Sequence, residues 1–422
     1  MNPYVAANAS IGGNAEVPGQ WAPDALTRVP FWVYGSPELH ETEQKRVYEG
    51  PVWNYLCLEC EIAAPGDYRV TFVGSMPVVV ARDIDNEIYA FENRCAHRGA
   101  LIVLDHGGHA RDFTCAYHAW NYDLKGNLKT VAFEEGVAGK GGMGKNFCRS
   151  DHGPRKLRIA LFAGIIFGSL DDDVPPIDEY LGEEIATRIK RVLHKPAVVT
   201  GRFSQILPHN WKLYFENVKD TYHASLLHAF FTTFRINRLT QRGGLIVSPD
   251  GGHHSSFAYK DENPTSDDYS ALGLRAERED FALKDQSLVK NVDEFHDRGI
   301  NQILTVFPGF VLQQIQNSLA IRHLVPQGVN QCALNWTYFG FVDDTPELRT
   351  LRHIHDNLAG PGGYVSMEDG CIGGFVRRGI AAASAENAIV EMGGSGTVAE
   401  GTRATEAAVR GFWKCYRDHM GL

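Results

Sequence analysis

Four residues that can bind a metal stand in two compact pairs in the first third of the chain. Cys95 and His97 belong to the segment CAHRG, and Cys115 and His118 belong to the segment CAYHAW. Two thiolates and two imidazoles can hold a zinc ion in a tetrahedral site. They can also hold a Rieske [2Fe–2S] cluster, in which cysteines bind one iron and histidines bind the other.

The order of the ligands favours the cluster over zinc. Each segment supplies one cysteine and one histidine and can therefore reach both irons, whereas zinc fingers group their cysteines and their histidines separately. Gly99 allows the first segment to approach a cluster closely. Zinc, or buried cysteines with incidental histidines, remain as alternatives. The segment CLEC at 57–60 is strand-like, with no helix N-terminus to activate a thiol, so we predict that it belongs to the core.

A second candidate site lies in the segment DTYHASLLH. His223 and His228 are five residues apart, which places them about 140° apart on a regular helix. If both bind one metal, we predict that the helix is interrupted between Ala224 and Leu227. With a carboxylate they would form the ligand face of non-haem Fe(II) oxygenases, which leaves positions open for O₂ and substrate. Two unrelated core histidines are the alternative.

The carboxylate must come from another part of the chain. Asp220 precedes His223 by three residues, where it suits a hydrogen bond to the ring better than ligation of the metal. The segment GPGGYVSMEDG carries the adjacent carboxylates Glu368 and Asp369. This segment is a candidate source of the third ligand, and an ordinary acidic turn is the alternative.

The surrounding elements divide the chain into parts. Residues 1–26 are predicted to be a flexible tail, and 27–49 contain a helix that Ser36 caps and Pro37 begins. Short strands and turns fill 50–168, including a hairpin at Lys125-Gly126. Longer elements fill 169–422, and the final helix is predicted to begin after a Thr402 cap. These patterns indicate an α+β protein with an antiparallel sheet.

Composition narrows the class of protein further. The chain has 422 residues, of which 44% are hydrophobic and 22% charged, with a formal net charge of -10. This charge argues against sequence-independent nucleic-acid binding, which needs a basic surface. We find no apolar run of about 20 residues and no secretory signal. Eight cysteines are too few for a disulfide scaffold, so we expect a reducing cytoplasm.

The combined motifs resemble a known family. Cys-x-His, seventeen residues and Cys-x-x-His, followed by Asp-x-x-His-x-x-x-x-His, is similar to the signature of the large (α) subunit of Rieske non-haem iron ring-hydroxylating oxygenases. The resemblance runs from about Thr27 to the C-terminus. It implies four cluster ligands, which are Cys95, His97, Cys115 and His118. It implies three iron ligands, which are His223, His228 and Asp369. It also implies that Asp220 links the two centres between neighbouring subunits. Many relatives have Asp-Asp-Gly where this chain has Glu368-Asp369-Gly370.

The resemblance also implies an architecture and partners. It implies an all-β Rieske domain at 50–168 and a helix-grip (START or Bet v1-like) catalytic domain at 169–422, with 27–49 packed against the latter. It further implies a small β subunit in an α₃β₃ hexamer, and electrons from NADH through a separate reductase. The implied reaction is cis-dihydroxylation of an aromatic carboxylate by O₂. An electron carrier whose second domain merely binds a ligand is the rival from another class.

Two arginines are candidate partners for the substrate's carboxylates. An acidic chain that binds a dianion needs local positive charge. Arg403 would stand at the first position of the final helix, where a cation is unfavourable because it opposes the helix dipole. Residues that are locally unfavourable in this way tend to have a function. Arg322 ends an apolar strand segment. In the resemblance both match arginines of the substrate site, and Ser256 matches a nearby polar contact. Salicylate and anthranilate oxygenases share most of the sequence segments that carry this resemblance.

Overall fold

The computed structural model of the protein describes residues 21–22, 26–260, 269, 272–275, 277–278, 280–398 and 401–422. Two seven-stranded antiparallel sheets dominate it, and most helices follow the first sheet in the chain. The α+β class is therefore confirmed. Most of the predicted tail at 1–26 lies outside the described residues. No helix in the described ranges is both long and apolar enough to cross a bilayer.

The segment before the first sheet joins the two ends of the chain. Strand β1 (Arg28–Pro30) pairs with a strand near the C-terminus. Helix α1 (Pro37–Glu43) begins as predicted, because the Ser36 hydroxyl accepts a hydrogen bond from the Leu39 N–H at 3.2 Å. It continues as a π-helical turn at Gln44–Tyr48. The buried Glu43 carboxylate accepts a hydrogen bond from the Trp211 indole, which ties this segment to the second half of the chain.

The first sheet and a small three-stranded sheet form an all-β module. Its ten strands are β2 (Asn54–Leu58), β3 (Asp67–Val73), β4 (Met76–Arg82), β5 (Ile88–Glu92), β6 (Gly107–His109), β7 (Phe113–Thr114), β8 (Asn121–Tyr122), β9 (Leu128–Thr130), β10 (Lys156–Phe162) and β11 (Ile165–Ser169). The sheet orders are β2-β11-β10-β5-β4-β3-β6 and β7-β8-β9.

The turns of this module follow from its sequence. The predicted hairpin at Lys125-Gly126 joins β8 to β9: Gly126 has a φ of 78°, and the Asp123 carboxylate accepts from the N–H groups of Lys125 and Asn127. The core prediction for CLEC is correct for Cys57, which is buried in β2, but wrong for Cys60, which is exposed. Cys60 is exposed because the chain leaves the strand for a 3₁₀ turn at Glu59–Ile62.

The second half of the chain contains one sheet and most of the helices. Its elements are α2 (Ile177–Val192), β12 (Ala197–Leu207), α3 (Trp211–Asn217), α4 (Ala224–Leu227), α5 (Ala229–Thr233), β13 (Gly243–Val247), β14 (His254–Tyr259), β15 (Gly299–Val306), β16 (Phe310–Ile315), β17 (Ser318–Pro326), β18 (Cys332–Phe341), α6 (Pro346–Ala359), α7 (Tyr364–Ile380), β19 (Asn387–Ile389) and α8 (Ala407–Met420). Short 3₁₀ turns lie at Phe31–Tyr34, Arg149–Asp151 and Gln286–Val289. The sheet order is β12-β18-β17-β16-β15-β14-β13, and β19 pairs with β1.

This sheet separates two cores. One face packs against α2 through Ile185, Ile189 and strand residues such as Leu304. The other face packs against α3 and α8 through Trp211 and Phe412. Because successive strand residues point to opposite faces, the residues that alternate with Leu304 face the helices of the second core. The candidate functional residues of this half lie on that side.

Candidate metal centres and substrate cavity

The two cysteine–histidine segments form matching turns. The N–H of Cys95 donates to the carbonyl of Ala100 at 2.8 Å, and the N–H of Cys115 donates to that of Trp120 at 2.9 Å. In each turn the fifth residue, Gly99 or Ala119, donates back to the cysteine carbonyl, at 2.9 and 3.0 Å respectively. Both have a positive φ, 78° and 52°. The turns therefore present their cysteines in the same way, while the histidine is the third residue of the first turn and the fourth residue of the second.

The four side chains divide into a buried pair of cysteines and a more accessible pair of histidines. The thiols of Cys95 and Cys115 are buried, and the Tyr122 hydroxyl lies 3.2 Å from the Cys95 sulfur. His97 is exposed and His118 is half-buried, and their Nδ1 atoms lie 3.2 Å apart. Such a division fits a binuclear cluster, whose inner iron takes the thiolates and whose outer iron takes the imidazoles.

A single zinc ion fits these four residues less well. Among the described residues, one group of three potential ligands has all its donor atoms within 4.8 Å of one another. This group lies in the other half of the chain. The four cluster candidates do not converge on one point in that manner, as a tetrahedral zinc site would require. The pKa of the His118 imidazole is lowered by desolvation and by the neighbouring His97 and Arg98, which favours the neutral, metal-binding form.

That converging group is His223, His228 and Asp369. The Asp369 Oδ1 atom lies 3.4 Å from His223 Nε2 and 3.3 Å from His228 Nε2. Burial alone would raise the pKa of Asp369, but the two adjacent imidazoles hold it well below its usual range. The carboxylate is therefore ionised, which is the form that binds a metal. Two imidazoles and one carboxylate at a cavity wall suit an Fe(II) ion with open positions.

An interrupted helix brings the two histidines together, but not where we predicted. Helix α3 ends at Asn217, a turn follows, and α4 occupies the very residues expected to be unwound. The breaks lie before His223 and at His228, whose φ and ψ are −83° and 83°. The first break has a local cause: the Asp220 carboxylate accepts a hydrogen bond from the Tyr222 N–H at 2.8 Å.

The third ligand also lies in an element that the sequence did not predict. Glu368 and Asp369 stand in the second turn of α7, so the alternative of an ordinary acidic turn does not hold. The helix needs a glycine at Gly370, because a Cβ there would lie 2.9 Å from the Gln205 amide and 3.0 Å from Leu207.

Each histidine of this group has a carboxylate behind it. Asp220 Oδ2 lies 3.2 Å from His223 Nδ1, and Glu368 Oε2 lies 2.7 Å from His228 Nδ1. These contacts orient both rings so that Nε2 faces Asp369. Burial opposes the protonation of His223, but hydrogen bonds to Asp220 and Asp369 and their charges raise its pKa to about 10.

Sequence reasoning missed two residues that contact this metal-binding group. Glu368 was noted only as the residue beside the predicted ligand, and the sole signal for its role is that adjacency. Asn217 was not singled out: its Nδ2 lies 3.3 Å from Asp369 Oδ1 and 3.3 Å from His223 Nε2. An asparagine at the end of a helix gives no signal for such a position.

A cavity beside these three residues contains the predicted substrate contacts. Arg322, Arg403 and Ser256 all line it, together with His223, His228 and Asp369. Its apolar wall consists of Phe231, Ile303, Ile315 and Val365. The structure therefore brings all the predicted residues of the second half of the chain, Asp220 included, to one site.

Arg322 lies inside strand β17, not at a solvated strand end. It is 2% exposed. It donates from Nη1 to the Tyr214 hydroxyl at 2.9 Å and from Nη2 to the Gln313 side chain, and its guanidinium stacks 4.5 Å from the Trp336 ring centroid. No carboxylate of the described ranges forms an ion pair with it. A buried cation without a counter-ion favours an anionic ligand.

Arg403 is also buried, but our placement of it on the final helix is wrong. Helix α8 begins at Ala407. The hydroxyl of Thr402 accepts from the Ala404 N–H and that of Thr405 accepts from the Ala407 N–H, so local side-chain hydrogen bonds hold a turn there instead. From this turn Arg403 Nη1 donates to Asn237 Oδ1 at 2.8 Å.

Asp220 also faces a second cleft, on the outside of the catalytic half. Apolar side chains dominate this cleft, among them Leu226, Val376 and Ile389, and the His223 ring reaches it as well. Asp220 therefore lies between the substrate cavity and an open surface. This placement allows it to connect the site with a partner that binds there.

Comparison with known proteins agrees with this arrangement. Residues 52–139 match the Rieske [2Fe-2S] domain, and 184–422 match the ring hydroxylating alpha subunit (catalytic domain). The chain is 57% identical over 402 residues to the terminal oxygenase component subunit alpha 2 of terephthalate 1,2-dioxygenase from Comamonas sp., with 95% of this chain and 97% of the relative covered. It is 41% identical to the anthranilate 1,2-dioxygenase large subunit from Burkholderia cepacia, with 94% of each covered.

The fold has a counterpart among solved structures. Naphthalene 1,2-dioxygenase from Rhodococcus sp. bound to indole superposes with a TM-score of 0.77 at 22% identity, covering 93% of this chain and 94% of that chain. Together, the paired cysteine–histidine turns, the two-histidine-one-carboxylate group and these matches show that the chain belongs to the α subunits of the Rieske ring-hydroxylating oxygenases, which carry a Rieske cluster and a mononuclear iron.

Proposed function

We propose that this chain is the large subunit of a dioxygenase that converts terephthalate to 1,2-dihydroxy-3,5-cyclohexadiene-1,4-dicarboxylate. The reaction would consume O₂ and take electrons from NADH through a separate reductase. The observation that carries the proposal is the pair of buried arginines, Arg322 and Arg403, which line one cavity with His223, His228 and Asp369. Two cations in a cavity with a partly apolar wall suit a flat ring with two carboxylates.

The residues of the two centres divide the work between them. Cys95, Cys115, His97 and His118 would hold the cluster, which accepts and passes on single electrons. The group of His223, His228 and Asp369 would hold iron, which supplies the position where O₂ is activated. The protein itself positions the ring: Arg322 and Arg403 bind the acid groups, and Phe231, Ile303 and Ile315 provide the apolar contacts and exclude water.

Asp220 would link the centres. Its carboxylate contacts His223 Nδ1 and also lines the open apolar cleft. A neighbouring subunit that places its Rieske turns in this cleft would bring a histidine of the cluster to Asp220. This proposal assumes the ring-shaped assembly with a small β subunit, α₃β₃, that the family resemblance implies.

A second substrate class follows from the other relatives. Chains named for anthranilate 1,2-dioxygenase and salicylate 5-hydroxylase are 41% and 36% identical to this one. A monocarboxylate, such as salicylate or anthranilate, would leave one arginine unmatched. A phthalate isomer would place its second acid group at a different angle.

Oxygen uptake tests the proposal directly. The assembled oxygenase, supplied with a reductase and NADH, is assayed with terephthalate, phthalate, isophthalate, salicylate and anthranilate. We expect the highest kcat/KM on terephthalate, with a cis-diol as product. Iron analysis distinguishes the electron-carrier class, because a carrier holds only the two irons of its cluster, whereas the oxygenase holds a third at the carboxylate face. A higher kcat/KM on a monocarboxylate would overturn the substrate assignment.

A further inference from the structure

Strand β15 presents a polar side chain to the substrate cavity that neither the sequence motifs nor the metal chemistry requires. Asn301 and Ile303 line the cavity. The residues between and after them point the other way: Gln302 Nε2 donates to the Arg188 carbonyl of α2 at 3.1 Å, and Leu304 packs in the core around α2. The alternation of the strand therefore aims the Asn301 carboxamide at the site.

The carboxamide of Asn301 has no hydrogen-bond partner within the described part of the chain, although the residue is only 6% exposed. The other two amides of the cavity have at least one partner each, since Asn237 accepts from Arg403 and Asn217 donates to Asp369, although Asn217 Oδ1 has none among the described residues. The Asn301 amide is not enclosed by protein either, so its atoms face the open cavity. A buried amide in this position is satisfied only when a ligand or a water supplies the partner.

The sheet register places this amide at the Arg403 end of the cavity. Asn301 pairs with Ala258, and Ala258 pairs with Gly243 on the next strand. The Arg403 Nε atom lies 3.0 Å from the position of a Cβ on Gly243, so the arginine covers the same end. Arg322 is on β17, two strands from β15, which corresponds to roughly 10 Å across the sheet.

We propose that Asn301 is a specificity-determining residue whose amide N–H donates to the carboxylate that Arg403 binds. The inference rests on the proposed function and deepens it: Arg322 holds one acid group, and Arg403 with Asn301 recognises the second. A neutral donor adds a hydrogen bond without a further buried charge. It also disfavours rings without a second acid group, because such ligands leave the amide unpaired.

The test compares terephthalate with benzoate on the holoenzyme. Asn301→Leu keeps the approximate size and removes the hydrogen bond, and Asn301→Asp keeps the shape and adds a negative charge. For Asn301→Leu we expect KM and Kd for terephthalate to rise about 10- to 100-fold, the range for a lost hydrogen bond to a charged group, with kcat nearly unchanged. Asn301→Asp should weaken terephthalate binding further. Benzoate bound at Arg322 should lose affinity in neither variant, and in Asn301→Leu its KM should stay the same or fall, because no unpaired amide remains.

Two controls keep the outcome interpretable. Asn335→Asp makes the same change on β18, where the side chain accepts from Ser204 outside the cavity, and it should leave all constants unchanged. The visible spectrum of the cluster and the melting temperature report whether each variant folds. A double-mutant cycle adds a geometric readout: Asn301→Leu should have little further effect in Arg403→Ala but its full effect in Arg322→Ala.

The outcomes separate the two proposals. If the wild-type enzyme neither binds nor oxidises terephthalate, the proposed function is wrong. If it does, and folded Asn301→Leu and Asn301→Asp keep the wild-type KM and Kd for terephthalate, the role of Asn301 alone is overturned. Equal losses on terephthalate and benzoate with coupling to Arg322 would also overturn it, since the amide would then lie at the wrong end.

Discussion

At the scale of single residues, Asp220 is the clearest case of a side chain whose charge matters apart from its shape. The Asp220→Asn variant should keep both metal centres, but its kcat should fall by about 10- to 100-fold or more. Substitution of a residue that hydrogen-bonds a metal-binding histidine typically has an effect of this size. The neutral amide weakens the contact to His223 Nδ1, which measures 3.2 Å in the wild type. Iron content and oxygen uptake measure the two effects. Loss of iron would instead make Asp220 a ligand and put Asp369 in doubt.

Glu368 offers a parallel prediction for the other histidine. Its Oε2 lies 2.7 Å from His228 Nδ1, so it holds that ring in the tautomer that points Nε2 at the metal. We expect Glu368→Ala to bind Fe(II) about 10- to 100-fold more weakly, measured as the rate of iron loss to a chelator. Glu368→Gln should lie between this variant and the wild type. Met367→Ala, one residue earlier on the exposed side of α7, serves as the control.

The two arginines should respond differently to the number of acid groups on the substrate. Removing one partner of a buried charge pair costs about 2–5 kcal/mol, and each 1.4 kcal/mol corresponds to about tenfold. Arg322→Ala and Arg403→Ala should therefore each lower kcat/KM on terephthalate by about 30-fold or more, mostly through KM. Benzoate should suffer much more from one change than from the other. Small, equal losses on both acids would refute the two-arginine model.

Which residues could be predicted from the sequence depends on the kind of signal they carry. Cys95, His97, Cys115 and His118 stand in short segments whose residue types are rare, so their spacing alone predicted a cluster. Glu368 and Asn301 carry no such signal, because a glutamate on a helix and an asparagine on a strand are ordinary. Only the fold brings the first to His228 and the second to the cavity.

At the scale of elements, hydrophobic alternation is a good signal for strands, whereas the glycine-rich segment that forms α7 gave no helix prediction. The segment AVVTGRFSQIL at 197–207 has the alternating pattern of a strand, and it forms β12 because that pattern is local. Helix α7 contains several glycines, which favour a loop by intrinsic propensity. Tertiary contacts override that propensity: α7 passes so close to β12 and the segment after it that side chains at Gly370 and Gly373 would collide with Gln205 and His209.

This close approach gives a matched pair of variants on one helix. A Cβ on Gly373 would overlap the buried His209 ring, whereas one on Gly379 would meet nothing within 4 Å. Gly373→Ala should destabilise the protein by about 1–3 kcal/mol and weaken iron binding, because α7 carries Asp369. Gly379→Ala should be neutral or stabilise it by up to about 1 kcal/mol. Thermal melts and iron content would contradict this account if the two variants behaved alike.

At the scale of the whole molecule, one chain contains both an electron-accepting module and an oxygen-activating one, yet Asp220 opens onto a surface cleft. An apolar cleft next to a metal-binding histidine is best explained if another subunit covers it. In a ring of identical subunits, each chain would then send electrons to its neighbour through a heterologous contact. Motif spacing by itself does not separate the two routes, since the motifs within one chain are the same for transfer inside or between chains; only the family resemblance implied transfer between subunits.

Mixing two inactive chains decides between these routes. His118→Ala should lose the cluster and keep the iron site, and Asp369→Ala should lose the iron and keep the cluster, so each variant alone should be inactive. If transfer occurs between neighbours, co-expressed chains that assemble at random should recover about a quarter of the wild-type activity, the fraction of contacts in which an intact cluster faces an intact iron site. If transfer occurs within a chain, no active pair exists and the mixture should stay inactive. Adding Asp220→Asn to the His118→Ala chain, which holds the accepting iron, should abolish the recovery, whereas the same change in the Asp369→Ala chain should not.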